Sequence, residues 1–277
     1  MAHYDLNIPV FAEPSAEELR SWANRHLEPG RPFRVDAWPR FLQTLAGPLI
    51  CHPLTEVQHE ALLGCLLYRE GDTADLSEAQ CRQILADLAA ELDRRVGFFA
   101  RGAFVRLNTR SPKDNFEWLD EHDRLRPVTS GSQSIEVLLG SMERVFEDLS
   151  AAKRAHAQDP VCLVLRPFYA FEPWREFRVF IEQSRVAGIS QYFSRSVFPE
   201  LPAHAPAFEK ALTEFALSIA DRAPWSSFTL DVWVENEDHV RFLEVNPPVS
   251  SGVTDPALFR DGNLDGSFRW NAASPEA

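Results

Sequence analysis

Asp231, Glu244 and Asn246 are the residues whose types and spacing most directly suggest chemistry. They lie in FTLDVWVENEDHVRFLEVN, 228–246, which reads as two strands rich in β-branched and aromatic residues, joined by a polar turn at Glu235 to Asp238. Pairing Val234 with His239 sets Asp231 opposite Phe242 and makes Glu244 its diagonal neighbour, at about 7–8 Å. Because side chains alternate across a sheet, the three polar residues then share one face. Phe228, Leu230, Val232, Val234, Leu243 and Val245 form the opposite, core face. Two carboxylates and an amide offer hard oxygens that suit Mg²⁺, an ion held by one or two carboxylates together with substrate phosphates. A hairpin with a merely solvated polar end is the alternative. The two prolines after Asn246 cannot continue a strand, so this face opens into a loop, where sites tend to lie.

A second stretch supplies cations. A strand expected at Ala103 to Leu107 runs into NTRSPKDN, which places Arg106, Arg110 and Lys113 within eight residues of an otherwise acidic chain. Asn108, Thr109 and Ser111 add hydrogen-bond donors. Such a loop can cover phosphates, although it lacks the glycine-rich phosphate-loop pattern. A solvated surface loop is the alternative. A third stretch, VCLVLRPF at 161–168, is an apolar strand ending at Pro167. It leads into a hairpin that turns at Gln183 and Ser184. Alternation there puts Glu176 and Arg178 on one face and Phe177, Val179 and Ile181 on the other.

Other elements must position these strands. Capping boxes at Ser15–Glu18, Thr55–Gln58 and Ser77–Gln80 open three helices. The first carries Leu19, Trp22 and Leu27, the second runs to about Tyr68, and the third to about Arg95 with Ile84, Leu85, Leu88 and Leu92 inward. These helices are expected to be a supporting layer. One amphipathic helix is expected over 133–150 and another over about 206–222. The tail after Phe259 is expected to fray. Strands that are mostly antiparallel, with segregated helices, indicate an α+β fold. No GxGxxG follows a strand, which disfavours a dinucleotide-binding domain.

Composition narrows the function classes. The chain has 277 residues, 45% of them hydrophobic, and a net charge of −13. That charge argues against a nucleic-acid binder, which would carry a basic footprint. No apolar run approaches the ~18 residues of a membrane span, and no basic-then-apolar start marks a secretory leader. The expected location is cytoplasmic. Cys51, Cys65, Cys81 and Cys162 lack CxxC spacing and are expected to be reduced thiols.

Taken together, FVRLNTRSPKDN at 104–115, LVLRPF at 163–168, EFRVFIEQSRVAGISQY at 176–192 and FTLDVWV…FLEVNPP…TDPALF at 228–259 resemble the cell division cycle protein 123 family, a divergent branch of the ATP-grasp fold. TSGSQSIEVLLGSMERVFEDL, 129–149, is similar to the family's linking helix. The resemblance covers about residues 101–260 and implies an ATP-grasp-like fold in which two α+β halves hold ATP between antiparallel sheets. The expected segments are a mainly helical region over 1–100, a small half with the phosphate loop over 101–155, and a large half with hinge and metal hairpin over 156–277.

The resemblance also implies roles. Arg106 stands where the family has a lysine that reaches the nucleotide phosphates. Asn108 and Lys113 lie in the loop that covers them. Leu165, Arg166, Pro167 and Phe168 would form the hinge whose backbone reads adenine, and Arg178 would be aimed at the phosphates. Asp231, Glu244 and Asn246 match the Mg²⁺ ligands, the trio that alternation also gives. Arg106 is a planar fork where the family has a compact ammonium. Pro167 replaces a basic residue, and Glu244 is one methylene longer than the expected aspartate. The cofactors implied are ATP and Mg²⁺. One function implied is an ATP-grasp ligase that activates a carboxylate, with Arg178 and Lys113 stabilising the transferring phosphate and a small molecule or protein as substrate. The alternative is an ATP-dependent assembly chaperone whose partner is a translation initiation factor. Arg178 and Arg106 are expected to serve the phosphates with little part in stability, since Phe177, Val179, Val105 and Leu107 take the core positions beside them.

Overall fold

The computed structural model describes residues 15–155 and 159–272. Two sheets organise the chain. The first has three antiparallel strands in the order β1 (Ile50–Pro53), β3 (Cys162–Pro167), β2 (Ala103–Leu107). The second has five, in the order β7 (His239–Asn246), β6 (Phe228–Asn236), β4 (Glu176–Glu182), β5 (Arg185–Gln191), β8 (Phe268–Arg269). All its pairings are antiparallel except β5 with β8. This is the expected α+β architecture of two sheet-and-helix halves.

The helices segregate between the halves. Helices α3 (Glu56–Arg69), α4 (Glu78–Val96), α5 (Gly131–Leu139) and α6 (Arg144–Ala155) cover one face of the three-stranded sheet. Their core joins Leu62, Leu66, Leu88 and Leu92 to Val105, Leu107, Leu163 and Leu165. Helices α2 (Arg40–Leu45) and α7 (Leu201–Ala220) pack with the five-stranded sheet through Leu42, Phe208, Leu212, Phe177, Leu230 and Phe242. Because side chains alternate along β3, Val164 joins this second core while its neighbours join the first. The same alternation puts Arg106, paired with Val164, and Arg166, paired with Phe104, on the face that meets the large sheet.

The capping boxes hold. Ser15 opens α1 (Ala16–Leu27), Thr55 opens α3 and Ser77 opens α4, each with reciprocal bonds to Glu18, Gln58 or Gln80. Within α1, Trp22 is largely exposed and lies 5.6 Å from the Arg154 guanidinium, and the side chain of Leu19 is outside the described residues.

Four expectations need correction. Residues 133–150 form two helices, because Asp114 caps the second one. Asp114 accepts from Ser141 Oγ at 2.5 Å and from the amides of Glu143 and Arg144 at 2.8 and 3.2 Å. The first hundred residues are more than helical support, since β1 pairs with β3. The three-stranded sheet therefore takes one strand from each expected segment, and a division at 100 and 155 cuts through it. The chain after Phe259 returns to the sheet, where β8 lies parallel to β5. Finally, the pairing of Val234 is with Val240 rather than His239. Among the described residues no helix is long and apolar enough to cross a membrane.

Candidate functional site

The polar face of the large sheet is built on one row. Arg178 of β4 pairs with Asp231 of β6, which pairs with Glu244 of β7. The diagonal placement expected for Glu244 is corrected by a bulge. Asp231 faces Glu244 and Val232 faces Phe242, so Leu243 is an extra residue without a partner. The bulge moves Leu243 out of the main core cluster, where Val240, Phe242 and Val245 remain. It also frees the Leu243 carbonyl, which accepts from Arg166 Nη1.

Arginines hold both carboxylates. Arg178 donates from Nε to Asp231 Oδ1 at 2.7 Å and from Nη2 to Oδ2 at 2.9 Å, a bidentate fork. Its Nη1 donates to the Asp255 carbonyl, and Asn246 Nδ2 donates to Asp231 Oδ2 at 3.0 Å. Arg106 is 2% exposed, and its Nη1 sits 2.6 Å from Glu244 Oε1. Its Nε and Nη2 donate to the carbonyls of Leu107 and Thr109. Lys113 Nζ crosses from the loop after β2 to donate to the Tyr192 hydroxyl. The guanidinium of Arg178 lies over the same tyrosine ring, 5.0 Å from its centroid.

Burial and charge oppose each other here. Burial works against the charge of Arg178, but Asp231 outweighs it and the pKa is raised. Lys113 is likewise raised, with burial overcome by Tyr192, Glu176, Glu244 and Asp231. Glu244 is held below the usual carboxylate range, because Arg106 and Lys113 outweigh its burial. Burial drives Glu176 up to about 7, despite Lys113, and Arg166 down to about 10.

Two parts of the expected site lie elsewhere. Asn108 is spent on structure: its Nδ2 donates to Asp36 Oδ1 and the Pro160 carbonyl, and its Oδ1 accepts from the Cys162 amide. It ties β2 to β3 and has no free donor for a phosphate. Leu165, Arg166 and Pro167 are paired with Val105, Phe104 and Ala103, and Leu165 also with Ile50. Leu165 therefore sits in the middle of a sheet, where its backbone cannot read a ligand edge. The Phe168 amide donates to the Gly102 carbonyl, and Pro167 has no N–H. Arg166 lies 4.9 Å over the Phe104 ring and fills the space between the sheets.

A cleft of about 750 Å³ opens beside the row. Lys113, Arg178, Glu244 and Asn246 line it, together with residues of α6 and of the chain between Asn24 and Arg34. Four buried or cleft-lining cations, Arg106, Lys113, Arg166 and Arg178, meet three acids, Glu176, Asp231 and Glu244. Thr109 Oγ1, on the cleft wall, and Arg166 Nε are buried without a hydrogen-bond partner, while Arg106 Nη1 is held by Glu244. This surplus of positive charge and free donors fits an anionic phosphate chain. Asp231, Glu244 and Asn246 fit Mg²⁺ by donor chemistry. Among the described residues no group of three or more His, Cys, Asp or Glu side chains could hold a metal.

Alternation of β4 already placed Glu176 beside Arg178, but its burial was not legible. Tyr192 lies one residue past β5 and carries no sequence signal of its own. Its position follows from the Arg178–Ser190 pairing.

Comparison with known proteins gives a consistent result. The family model described as D123 matches residues 68–276. A protein of Sclerotinia sclerotiorum named translation initiation factor eIF2 assembly protein is 30% identical over 66% of this chain and 46% of its own length. One of the same name from Dictyostelium discoideum is 26% identical over 58% of this chain and 43% of its own. The chain thus spans about half the length of these curated relatives. The solved structure of C-terminally truncated Cdc123 from Schizosaccharomyces pombe superimposes with a TM-score of 0.66 at 18% identity, covering 87% of this chain and 96% of that one. That likeness shows a shared fold.

Proposed function

The chain belongs to the D123 family, and from that premise we propose that it is a Mg-ATP-binding assembly module acting in the cytoplasm on a protein partner of the translation-factor type. The observation that carries this reading is the buried row Arg178–Asp231–Glu244 with Lys113 beside it. Lys113 belongs to the small half and its acceptor Tyr192 to the large half. An anion at this point is read by both halves and orders one against the other.

Arg106, Lys113 and Arg178 would neutralise the phosphates, and Asp231, Glu244 and Asn246 would hold Mg²⁺. The bound ion supplies positive charge that the four cations alone do not provide. The names of the relatives favour assembly over the carboxylate ligase expected from the sequence. The free cysteines agree with a reducing compartment.

Incubation of the full chain with Mg-ATP, followed by release and chromatography of the nucleotide, separates the two readings. Assembly predicts tight binding with ATP recovered intact over hours. Sustained formation of ADP and phosphate that rises with added carboxylate and amine would restore the ligase.

A further inference from the structure

The polar row of the large sheet continues past the site. Ser190 of β5 pairs with Arg178 on one side and with Arg269 of β8 on the other. Just beyond β5 the Tyr192 amide donates to the Glu176 carbonyl, and the chain turns through Phe193 to Ser196. Two side-chain amides hold this turn. Gln191 is fully buried and donates from Nε2 to the carbonyls of Phe193 and Ser196, at 2.6 and 2.7 Å. Asn271, two residues after β8, donates from Nδ2 to the carbonyls of Ser194 and Ser196. Its backbone amide donates to Gln191 Oε1 at 2.9 Å. The segment after β8 and the turn that follows Tyr192 are therefore one hydrogen-bonded network.

Tyr192 is also where the two halves meet. Its hydroxyl accepts from Lys113, whose ammonium lies 4.3 Å from the ring centroid, and the Arg178 guanidinium lies over the same ring. The rotamer open to a side chain depends on its backbone, so a turn that changes shape redirects the ring beside it. β8 is two residues long and lies at the sheet edge, among the parts of a fold that open most readily.

We propose that residues 268–271 are a latch on the site, with Asn271 as a positioning residue that fixes the Phe193–Ser196 turn and, through Tyr192, the place of Lys113 at the cleft. Opening the latch frees Lys113 from Tyr192. On the nucleotide reading above, on which this consequence rests, opening also weakens Mg-ATP. The placement of Lys113 itself can be read without nucleotide.

The test follows that lysine. The three lysines of the chain are Lys113, Lys153 and Lys210; Lys153 is paired with Glu60 and Asp75, and Lys210 is exposed. Amine acylation of the full chain, mapped by peptide mass spectrometry, thus reads Lys113 against two internal controls. Asn271→Asp keeps the size and the backbone amide but turns two donations into repulsion of two carbonyls. It should raise the Lys113 rate at least about fivefold, the factor that one ordinary hydrogen bond represents, and leave Lys153 and Lys210 unchanged. In a Tyr192→Ala background the same substitution should change the Lys113 rate by less than about twofold. Calorimetry should show Mg-ATP bound at least about fivefold more weakly by Asn271→Asp. A merely structural Asn271 would lower the melting temperature without singling out Lys113. An unchanged Lys113 rate, a rise shared by all three lysines, or an undiminished effect without Tyr192 would overturn the latch. So would unchanged Mg-ATP affinity in Asn271→Asp. Absence of Mg-ATP binding by the wild type would refute the nucleotide reading instead, and the acylation rates would still decide the latch.

Discussion

Replacing Arg178 with alanine should destabilise the protein severely, against the expectation from sequence that its loss would be mild. The guanidinium makes two bonds to Asp231 and one to the Asp255 carbonyl, and both members of the ion pair are less than a tenth exposed. Its removal leaves the Asp231 carboxylate buried with the Asn246 amide as its remaining side-chain donor. Breaking a buried pair from one side costs about 3–5 kcal/mol, because the surviving charge is uncompensated. At about 2–4 °C per kcal/mol for a chain of this size class, the melting temperature should fall by about 6–20 °C. Replacing both partners, as Arg178→Met with Asp231→Leu, should cost less than the sum of the single changes, with a coupling of about 2 kcal/mol or more. Urea denaturation of the four proteins measures the cycle. Single variants that melt within about 2 °C of wild type, or additive losses, would refute the buried-pair reasoning.

Other outcomes can be checked with the same assays. Asp114→Ala removes the cap of α6 and should cost about 0.5–2 kcal/mol in urea denaturation, with loss of helical signal. Gly131→Ala should cost about 1–3 kcal/mol, since its Cβ would stand 1.9 Å from the Ala89 carbonyl oxygen of a packed helix. His52 is buried and its pKa is lowered, by burial first and then by Arg95, which donates to its Nδ1 at 2.6 Å. A lowered histidine pKa means stability that is present at neutral pH and lost as pH falls below the unfolded value near 6.5. His52→Gln should therefore flatten the drop in melting temperature between pH 7 and pH 5, and an unchanged profile would exclude His52 as a source of acid sensitivity.

Much of the site was legible because alternation is a local property. Arg178 and Glu176 share a face, as do Asp231 and Asn246, and the apolar neighbours Phe177 and Val179 enter the core as expected. The bulge at Leu243 was not legible, since one extra residue changes which side chains face each other without changing composition. The break between α5 and α6 was hidden for a different reason: its cap, Asp114, lies nearly thirty residues upstream. Strand β1, four residues that include a proline, is too short to show a period and is fixed by pairing with β3. The hinge expectation failed because β3 continues through Pro167. The resemblance marked the right segment, but a single chain does not show which backbone groups neighbouring strands have already taken.

The most direct test of the central claim is a calorimetric titration of ATP into the full chain, with Mg²⁺ and then with a chelator. The account predicts saturable binding at one site with Mg²⁺, weakening at least tenfold on chelation or in Lys113→Met. At a hundredfold excess over the dissociation constant it also predicts about 2.7 kcal/mol of added stability. No heat and no thermal shift at millimolar Mg-ATP, or equal affinity with and without Mg²⁺, would contradict it.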